Sequence, residues 1–104
     1  MTAKLLALYN QPADPAAFDA HYHSKHTPLA KKLPRLRSFT VSSGGVRTPE
    51  GGASPFHLVA ELTFASMPDL QAALASSEFA AAAEDLGRFA SAGVTVVMYE
   101  TRET

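Results

Sequence analysis

The sequence predicts a single α+β domain whose elements follow the order β-α-β-β-α-β. Short apolar runs of strand length lie near both ends and in the middle of the chain, and stretches between them have helical spacing. A chain of 104 residues is the size of one domain, and a hydrophobic content of 46% is enough for a core. We therefore expect residues 1–104 to form one domain.

A turn signal separates the first predicted strand from the first helix. Residues 4–10 (KLLALYN) form a short apolar run before the turn sequence QPADP, which predicts a buried strand. Asp14 can cap the helix that follows, and Pro15 suits the first helical position, where an N–H has no partner. An apolar stripe at helical spacing is formed by Phe18, Tyr22, Leu29 and Leu33.

Three histidines fall within this helix, and Pro28 follows them. His26 lies about 80° from Phe18, at the edge of the apolar stripe. His21 lies about 60° off on the other side, and His23 points to water. Pro28 cannot donate the hydrogen bond of a regular helix, and its ring clashes with the preceding turn. We expect the helix to end or kink near His26, with this imidazole facing the interior.

Two further strands are predicted in the middle of the chain. Residues 36–42 alternate polar and apolar side chains, which is typical of a strand. Residues 43–55 are rich in glycine and proline and predict a long loop. Residues 56–64 show the clearest alternation, with His57 on the outer face. The inner face carries Phe56, Leu58, Ala60, Leu62 and Phe64.

The last third of the chain predicts a helix broken in two and a final strand. Ser66 can cap the first piece, and Ser77 can cap a second piece that Gly87 ends. Residues 94–99 (VTVVMY) are β-branched and apolar and predict the last strand.

This order of elements is the split βαβ, ferredoxin-like sandwich, with a four-stranded antiparallel sheet and helices on one face. The other face of the sheet carries Val59 and its neighbours, and an apolar surface of this kind needs a cover. Two sheets packed face to face would close an α/β barrel between two copies of the chain. We therefore expect a homodimer.

Composition and spacing argue against several partners and cofactors. The net charge of −1 gives no field toward nucleic acid or an anionic membrane, so we expect neither partner. The absence of cysteine excludes disulfides, thiolate catalysis and cysteine metal ligands. His23 and His26 have a spacing that could share an ion, but no carboxylate is clearly placed beside them, so no metal is expected. The first apolar run is too short for a signal peptide, and a cytoplasmic location is expected.

Two short patterns stand out in the helical segments. Tyr22, His26, Pro28 and Leu29 form Y-x-x-x-H-x-P-L, and Asp85 and Phe89 form D-x-x-x-F. With these patterns, nearly the whole chain resembles the EthD family, of which Y-x-x-x-H-x-P-L is the most specific pattern. The resemblance implies the dimeric α/β-barrel superfamily, whose members include cofactor-free monooxygenases, muconolactone-type isomerases, polyketide cyclases and haem proteins.

The candidate functional residues follow from the helix pattern and the resemblance. His26 is the candidate catalytic residue, a general acid or base acting on a small apolar or aromatic molecule between helices and sheet. The candidate substrate-binding residues are Tyr9, Tyr22 and Asp85. We expect a cofactor-independent reaction of the isomerase, cyclase or monooxygenase type, in the catabolism of a small compound.

Alternative interpretations stay open. His26 could be a partly buried histidine that binds a backbone carbonyl, Tyr22 could only pack in the core, and His57 could lie at a dimer interface. Asp85 lies about 120° from the Phe79 stripe, which is typical of a solvated helix face. The protein could also be a non-catalytic ligand-binding or accessory protein of an oxygenase or catabolic system, or a dimer with a filled core.

Overall fold

A four-stranded sheet and a layer of helices make up the structure, a computed structural model that describes residues 1–104. The sheet is antiparallel and has the strand order β2-β3-β1-β4. Its strands are β1 Ala3–Asn10, β2 Ser38–Val41, β3 Phe56–Phe64 and β4 Val94–Glu100. The helical segments are α1 Pro15–His21, a π-helical turn Tyr22–His26, α2 Thr27–Ala30, α3 Met67–Leu74 and α4 Ser77–Phe89. The predicted ferredoxin-like α+β class is confirmed.

The hydrophobic core lies between the sheet and the helices. Successive side chains of a strand face opposite sides, so alternate residues of β1 and β3 point inward together. Leu5 pairs with Leu62 across these two strands, and Ala7 pairs with Ala60. The inward face predicted for residues 56–64 is confirmed for Leu58, Ala60, Leu62 and Phe64, which are buried, whereas Phe56 is only partly buried and lies outside the core. The helical segments contribute Phe18, Tyr22, Leu70 and Ala73 to the core, and Leu33, just after α2, joins them.

The starts of the helices follow the predicted caps with one correction. The Asp14 carboxylate accepts a hydrogen bond from the Ala17 amide at 3.1 Å, and this cap is confirmed. The predicted cap at Ser77 is one residue late, because the Ser76 hydroxyl accepts the hydrogen bond from the Phe79 amide.

None of the helices has the length and apolar character needed to cross a membrane.

The end of α4 is also later than predicted. The helix runs through Gly87 and ends at Phe89, and the Ala90 amide still bonds to the Leu86 carbonyl at 2.8 Å. Phe89 packs against the core and holds this last turn in place. The chain then turns at Gly93, whose φ of +106° suits glycine.

The opposite face of the sheet is open and partly apolar. Leu6, Leu8 and Val59 lie on this face and are only partly buried. On β4, Val97 and Tyr99 share the face and are 44% and 42% exposed. We refer to these five residues as the open sheet face.

Candidate functional site

A π-helical turn interrupts the first long helix, which does not end at His26. The Thr27 amide donates to the Tyr22 carbonyl, five residues earlier, and α2 then carries the chain past Pro28. Pro28 has no N–H and would crowd the preceding turn of a regular helix. A wider turn before a proline relieves that conflict, and such turns are frequent at functional sites.

The π turn brings His21 and His26 to the same side of the helix. Residues five apart on a regular α-helix lie about 140° apart, so these two rings would diverge. A π turn holds more residues per turn, and both rings consequently face α4. The buried residues of this region therefore recur every four positions, at Phe18, Tyr22, His26 and Ala30.

Asp85 of α4 lies between the two histidines. Its side chain is only 5% exposed, so the solvated position expected from the helix pattern is wrong. The Nδ1 of His26 lies 3.0 Å from Asp85 Oδ2. The Nε2 of His21 lies 2.9 Å and 3.1 Å from the two carboxylate oxygens. Asp85 is buried because α4 packs its Ala82 and Asp85 positions toward the core and the π turn.

The second nitrogen of His26 points away from Asp85, toward Tyr9. Because Nδ1–H donates to the carboxylate, Nε2 carries a lone pair. The Tyr9 hydroxyl lies 3.5 Å from this nitrogen, which is too long for a strong hydrogen bond. Nε2 of His26 is therefore available to accept a proton from a ligand.

Burial and hydrogen bonding set the protonation states of the site. Burial lowers the pKa of His26, and the hydrogen bond and charge of Asp85 oppose this only in part. Burial acts to raise the pKa of Asp85, but hydrogen bonds from His21 and His26 outweigh it and hold that pKa below its usual range. Burial, followed by the charge of Asp85, raises the pKa of Tyr9. At neutral pH, His26 is neutral, Asp85 is ionised and Tyr9 keeps its proton.

An apolar cavity of about 70 Å³ lies beside His26, between the helices and the sheet. Of its 15 lining residues, 14 are hydrophobic, and Tyr9, Tyr22 and His26 form its polar end. The lining also includes Ala83 of α4 and Val96 of β4, which are both exposed. The cavity therefore reaches the surface between α4 and β4.

Comparison with known proteins identifies the family. The model of the EthD domain matches residues 10–93. The chain belongs to the EthD family. An uncharacterised 11.0 kDa protein encoded in the thcB–thcC intergenic region of Rhodococcus erythropolis is 40% identical over 94 residues, covering 90% of this chain and 89% of that protein.

Solved structures agree with this assignment. An EthD family protein from Bacillus halodurans has 37% identity and a TM-score of 0.89, over 98% of this chain and 100% of its own. Two more distant structures share the fold. Hydroxynitrile lyase from Passiflora edulis has 15% identity and a TM-score of 0.73, over 99% and 94% of the chains. SnoaB, a cofactor-independent oxygenase from Streptomyces nogalater, has 16% identity and a TM-score of 0.68, over 99% and 95%.

The two EthD patterns noted in the sequence meet at one place. Asp85 bonds to His26, and the Phe89 ring lies 4.8 Å from the His26 ring and 5.8 Å from the Tyr22 ring. Phe89 also stacks on His21 at 5.0 Å. A helix places residues four apart on one face, so Asp85 and Phe89 contact the π turn together.

The four predicted site residues therefore cluster. Tyr9, Tyr22 and His26 contact one another at the end of the cavity, and Asp85 joins them through His26 without lining the cavity. The sequence interpretation missed His21, which regular helix geometry directs away from His26. The structure contains no group of three or more histidine, aspartate or glutamate side chains with the geometry to hold a metal ion.

His57 contacts α1 instead of the outer face of the sheet, where the sequence placed it. The pairing of β1 with β3 shifts register between Tyr9 and Asn10, which leaves His57 as the extra residue of a bulge. Its Nε2 lies 2.7 Å from Asp19 Oδ1, and its ring meets Phe18 edge-on at 5.1 Å. An alternating pattern cannot show a bulge of this kind.

The buried imidazole predicts how stability depends on pH. Burial lowers the pKa of His26 in the folded protein, so the unfolded chain binds a proton first. The stability that neutral His26 contributes to the folded protein is fully present above about pH 6.5, the usual pKa of histidine. It is lost as the pH falls through the lower pKa that His26 has in the folded protein. We expect the free energy of unfolding, measured by urea denaturation, to decrease from pH 8 to pH 5. His26→Gln should show a smaller decrease, and equal pH dependence in both proteins would contradict the assignment.

Proposed function

We propose that this EthD-family protein is an enzyme that moves a proton on a small, largely apolar molecule, with His26 as the general base or acid. One observation carries the proposal. The buried His26 is anchored through Nδ1 by Asp85, and its Nε2 is next to an apolar cavity. A carboxylate in this position fixes the tautomer of the imidazole and stabilises the imidazolium that forms when it takes a proton.

The lining of the cavity supports an apolar or aromatic substrate. Hydrophobic walls bind such a molecule, and a few polar groups orient it. The Tyr9 hydroxyl keeps its proton and can donate to a carbonyl or hydroxyl oxygen beside the carbon that reacts. Proton transfer of this kind leads to isomerisation or cyclisation and itself needs no cofactor. The shared fold of a cofactor-independent oxygenase and a hydroxynitrile lyase supports small-molecule chemistry in this architecture.

His26→Gln tests the proposal directly. Loss of a general acid or base lowers turnover by about 10²–10⁴-fold. The assay would screen small apolar and aromatic compounds that carry an acidic C–H bond, with product detected by mass spectrometry. His23→Gln is the matched control, since His23 lies in the same π turn and is exposed. Full turnover by His26→Gln would exclude the catalytic role.

A non-catalytic ligand-binding or accessory role is the second candidate. At the polar end of the cavity, His26 already contacts the Tyr9 hydroxyl through Nε2 and Asp85 through Nδ1, so a ligand held by apolar contacts alone would also fit. Mass spectrometry of protein purified without added ligand separates the two candidates. A bound compound that stays unchanged over many hours would support binding, and its conversion would support catalysis.

We also propose that the protein is a homodimer joined through the open sheet face. This face exposes apolar side chains from β1, β3 and β4 in one continuous area. Soluble monomers rarely expose large apolar patches, and a second copy offers a surface of matching shape and chemistry.

A further inference from the structure

The Asp85 carboxylate receives hydrogen bonds from two imidazoles that have different access to water. The His26 side chain is 8% exposed and lines the apolar cavity. The His21 side chain is 24% exposed and lines a separate surface hollow of about 380 Å³. Water therefore reaches one imidazole directly, whereas the other faces the ligand cavity.

His21 contacts the same carboxylate as His26 and is the more exposed of the two imidazoles. Its Nε2 contacts both carboxylate oxygens, and its ring stacks on Phe89 with an angle of 19° between the planes. The stacking fixes the ring, and the double contact fixes the carboxylate. One buried carboxylate balances one positive charge, so protons on both imidazoles would be disfavoured by mutual repulsion.

We propose that His21 is a positioning residue that anchors Asp85 from the solvent side and, through its own charge, sets how strongly His26 holds a proton. A neutral His21 leaves the full charge of Asp85 to stabilise protonated His26. A protonated His21 cancels that charge. The meaning of this coupling for catalysis rests on the proposed function, but the coupling itself does not.

Other charged and titratable groups face the two imidazoles. Those around His26 are Asp85 of α4, Tyr9 of β1 and Tyr22 of its own turn. Those around His21 are Asp85 and Arg88 of α4 and Asp14, which lines the same hollow. Arg88 lies 3.8 Å from the Asp85 carboxylate and is 58% exposed, so solvent screens its charge. Both tyrosines stay neutral in the range where histidine titrates, because burial raises their pKa values.

Imidazole ¹⁵N NMR titration tests the coupling without a substrate. His21→Gln keeps an N–H donor near Asp85 but cannot take a positive charge. We expect this variant to move the titration midpoint of His26 to higher pH while its Nδ1 stays protonated. His23→Gln, exposed and in the same turn, should leave the midpoint in place. A His26 midpoint that is the same in wild type and His21→Gln would overturn the proposal.

A second measurement covers the case in which His21→Gln does not fold. In the wild-type protein, coupled imidazoles titrate in two steps that both appear in the His26 signals, whereas independent imidazoles give single-site curves. Single-site curves would therefore also overturn the proposal. Once a substrate is identified, His21→Gln should shift the acid limb of the pH–turnover profile in the same direction as the NMR midpoint. If His26→Gln keeps full activity while the coupling is observed, the proposed function fails and the coupling stands.

Discussion

Asp85→Asn is expected to lower turnover by roughly 10²–10⁴-fold, close to the effect of removing His26 itself. The carboxylate accepts hydrogen bonds from both imidazoles, and an amide has only one oxygen to accept them. The amide NH₂ group would face one of the rings as a second donor. His26 can satisfy that donor by accepting at Nδ1, which moves its proton to Nε2 and leaves no lone pair toward the cavity.

The same substitution makes His26 a weaker base. The hydrogen bond and the charge of Asp85 both act to raise the pKa of His26, and burial, which lowers it, would remain. The ¹⁵N chemical shifts of the imidazole report both the tautomer and the titration midpoint. We expect the midpoint to move to lower pH and Nε2 to carry the proton at neutral pH.

Glu84→Gln provides the control for the loss of one negative charge from α4. Glu84 bonds to Arg88 at 3.0 Å on the surface, where both side chains are more than half exposed, and such pairs contribute little to stability. The turnover of Glu84→Gln and the tautomer of His26 in that variant should match the wild type. An Asp85→Asn protein with wild-type turnover and an unchanged tautomer would show that Asp85 does not position His26.

The sheet was predictable from sequence because its signals are local. Residues 56–64 alternate without interruption, and the observed strand β3 has the predicted bounds. The start of α1 was equally clear, since Asp14 and Pro15 combine a cap with a preferred first residue. The side of the sheet on which His57 lies was not predictable, because a bulge depends on pairing with another strand.

The site was only partly predictable because it depends on a helix that is not regular. A spacing of 100° per residue places His21 and His26 on different sides, and the π turn cancels that difference. Pro28 indicated that the helix is not regular, but the local sequence does not distinguish whether a proline ends, kinks or widens a helix. The wider turn shows itself as a four-residue recurrence of buried positions from Phe18 to Ala30, which becomes visible only once burial is known.

Asp85 illustrates a second limit of sequence patterns. A helix wheel ranks positions by hydrophobicity, so it assigns a carboxylate to the solvent side. Here two histidines from another helix satisfy the carboxylate, and the packing of α4 on the π turn buries it. Only the contacts with His21 and His26 explain why Asp85 is buried. For Asp85, membership of the D-x-x-x-F pattern was therefore more informative than its angular position on the helix.

Leu8→Glu is expected to weaken the proposed dimer by at least about 10³-fold. Leu8 lies on the open sheet face, where β1 pairs it with Val59 on one side and Thr95 on the other. Neither of these paired residues is a cation, and Lys4, four residues away on the same face, already pairs with Glu61 at 2.7 Å. In a single chain the new carboxylate reaches water, but in the dimer it would be buried without a partner, and an uncompensated buried charge costs about 3–5 kcal/mol. Two-fold symmetry places two such charges in each interface.

Light scattering coupled to size exclusion measures the result as a mass. The wild-type protein should elute at twice the chain mass of 11.0 kDa, and Leu8→Glu should elute near the single-chain mass at micromolar concentration. Ala80→Glu adds the same charge to an exposed position of α4, away from the sheet, and should remain a dimer. A Leu8→Glu protein that keeps the dimer mass would show that the two copies do not meet through this face. Near-native circular dichroism of Leu8→Glu separates dissociation from unfolding, because the substitution removes a side chain that is only partly buried in the single chain.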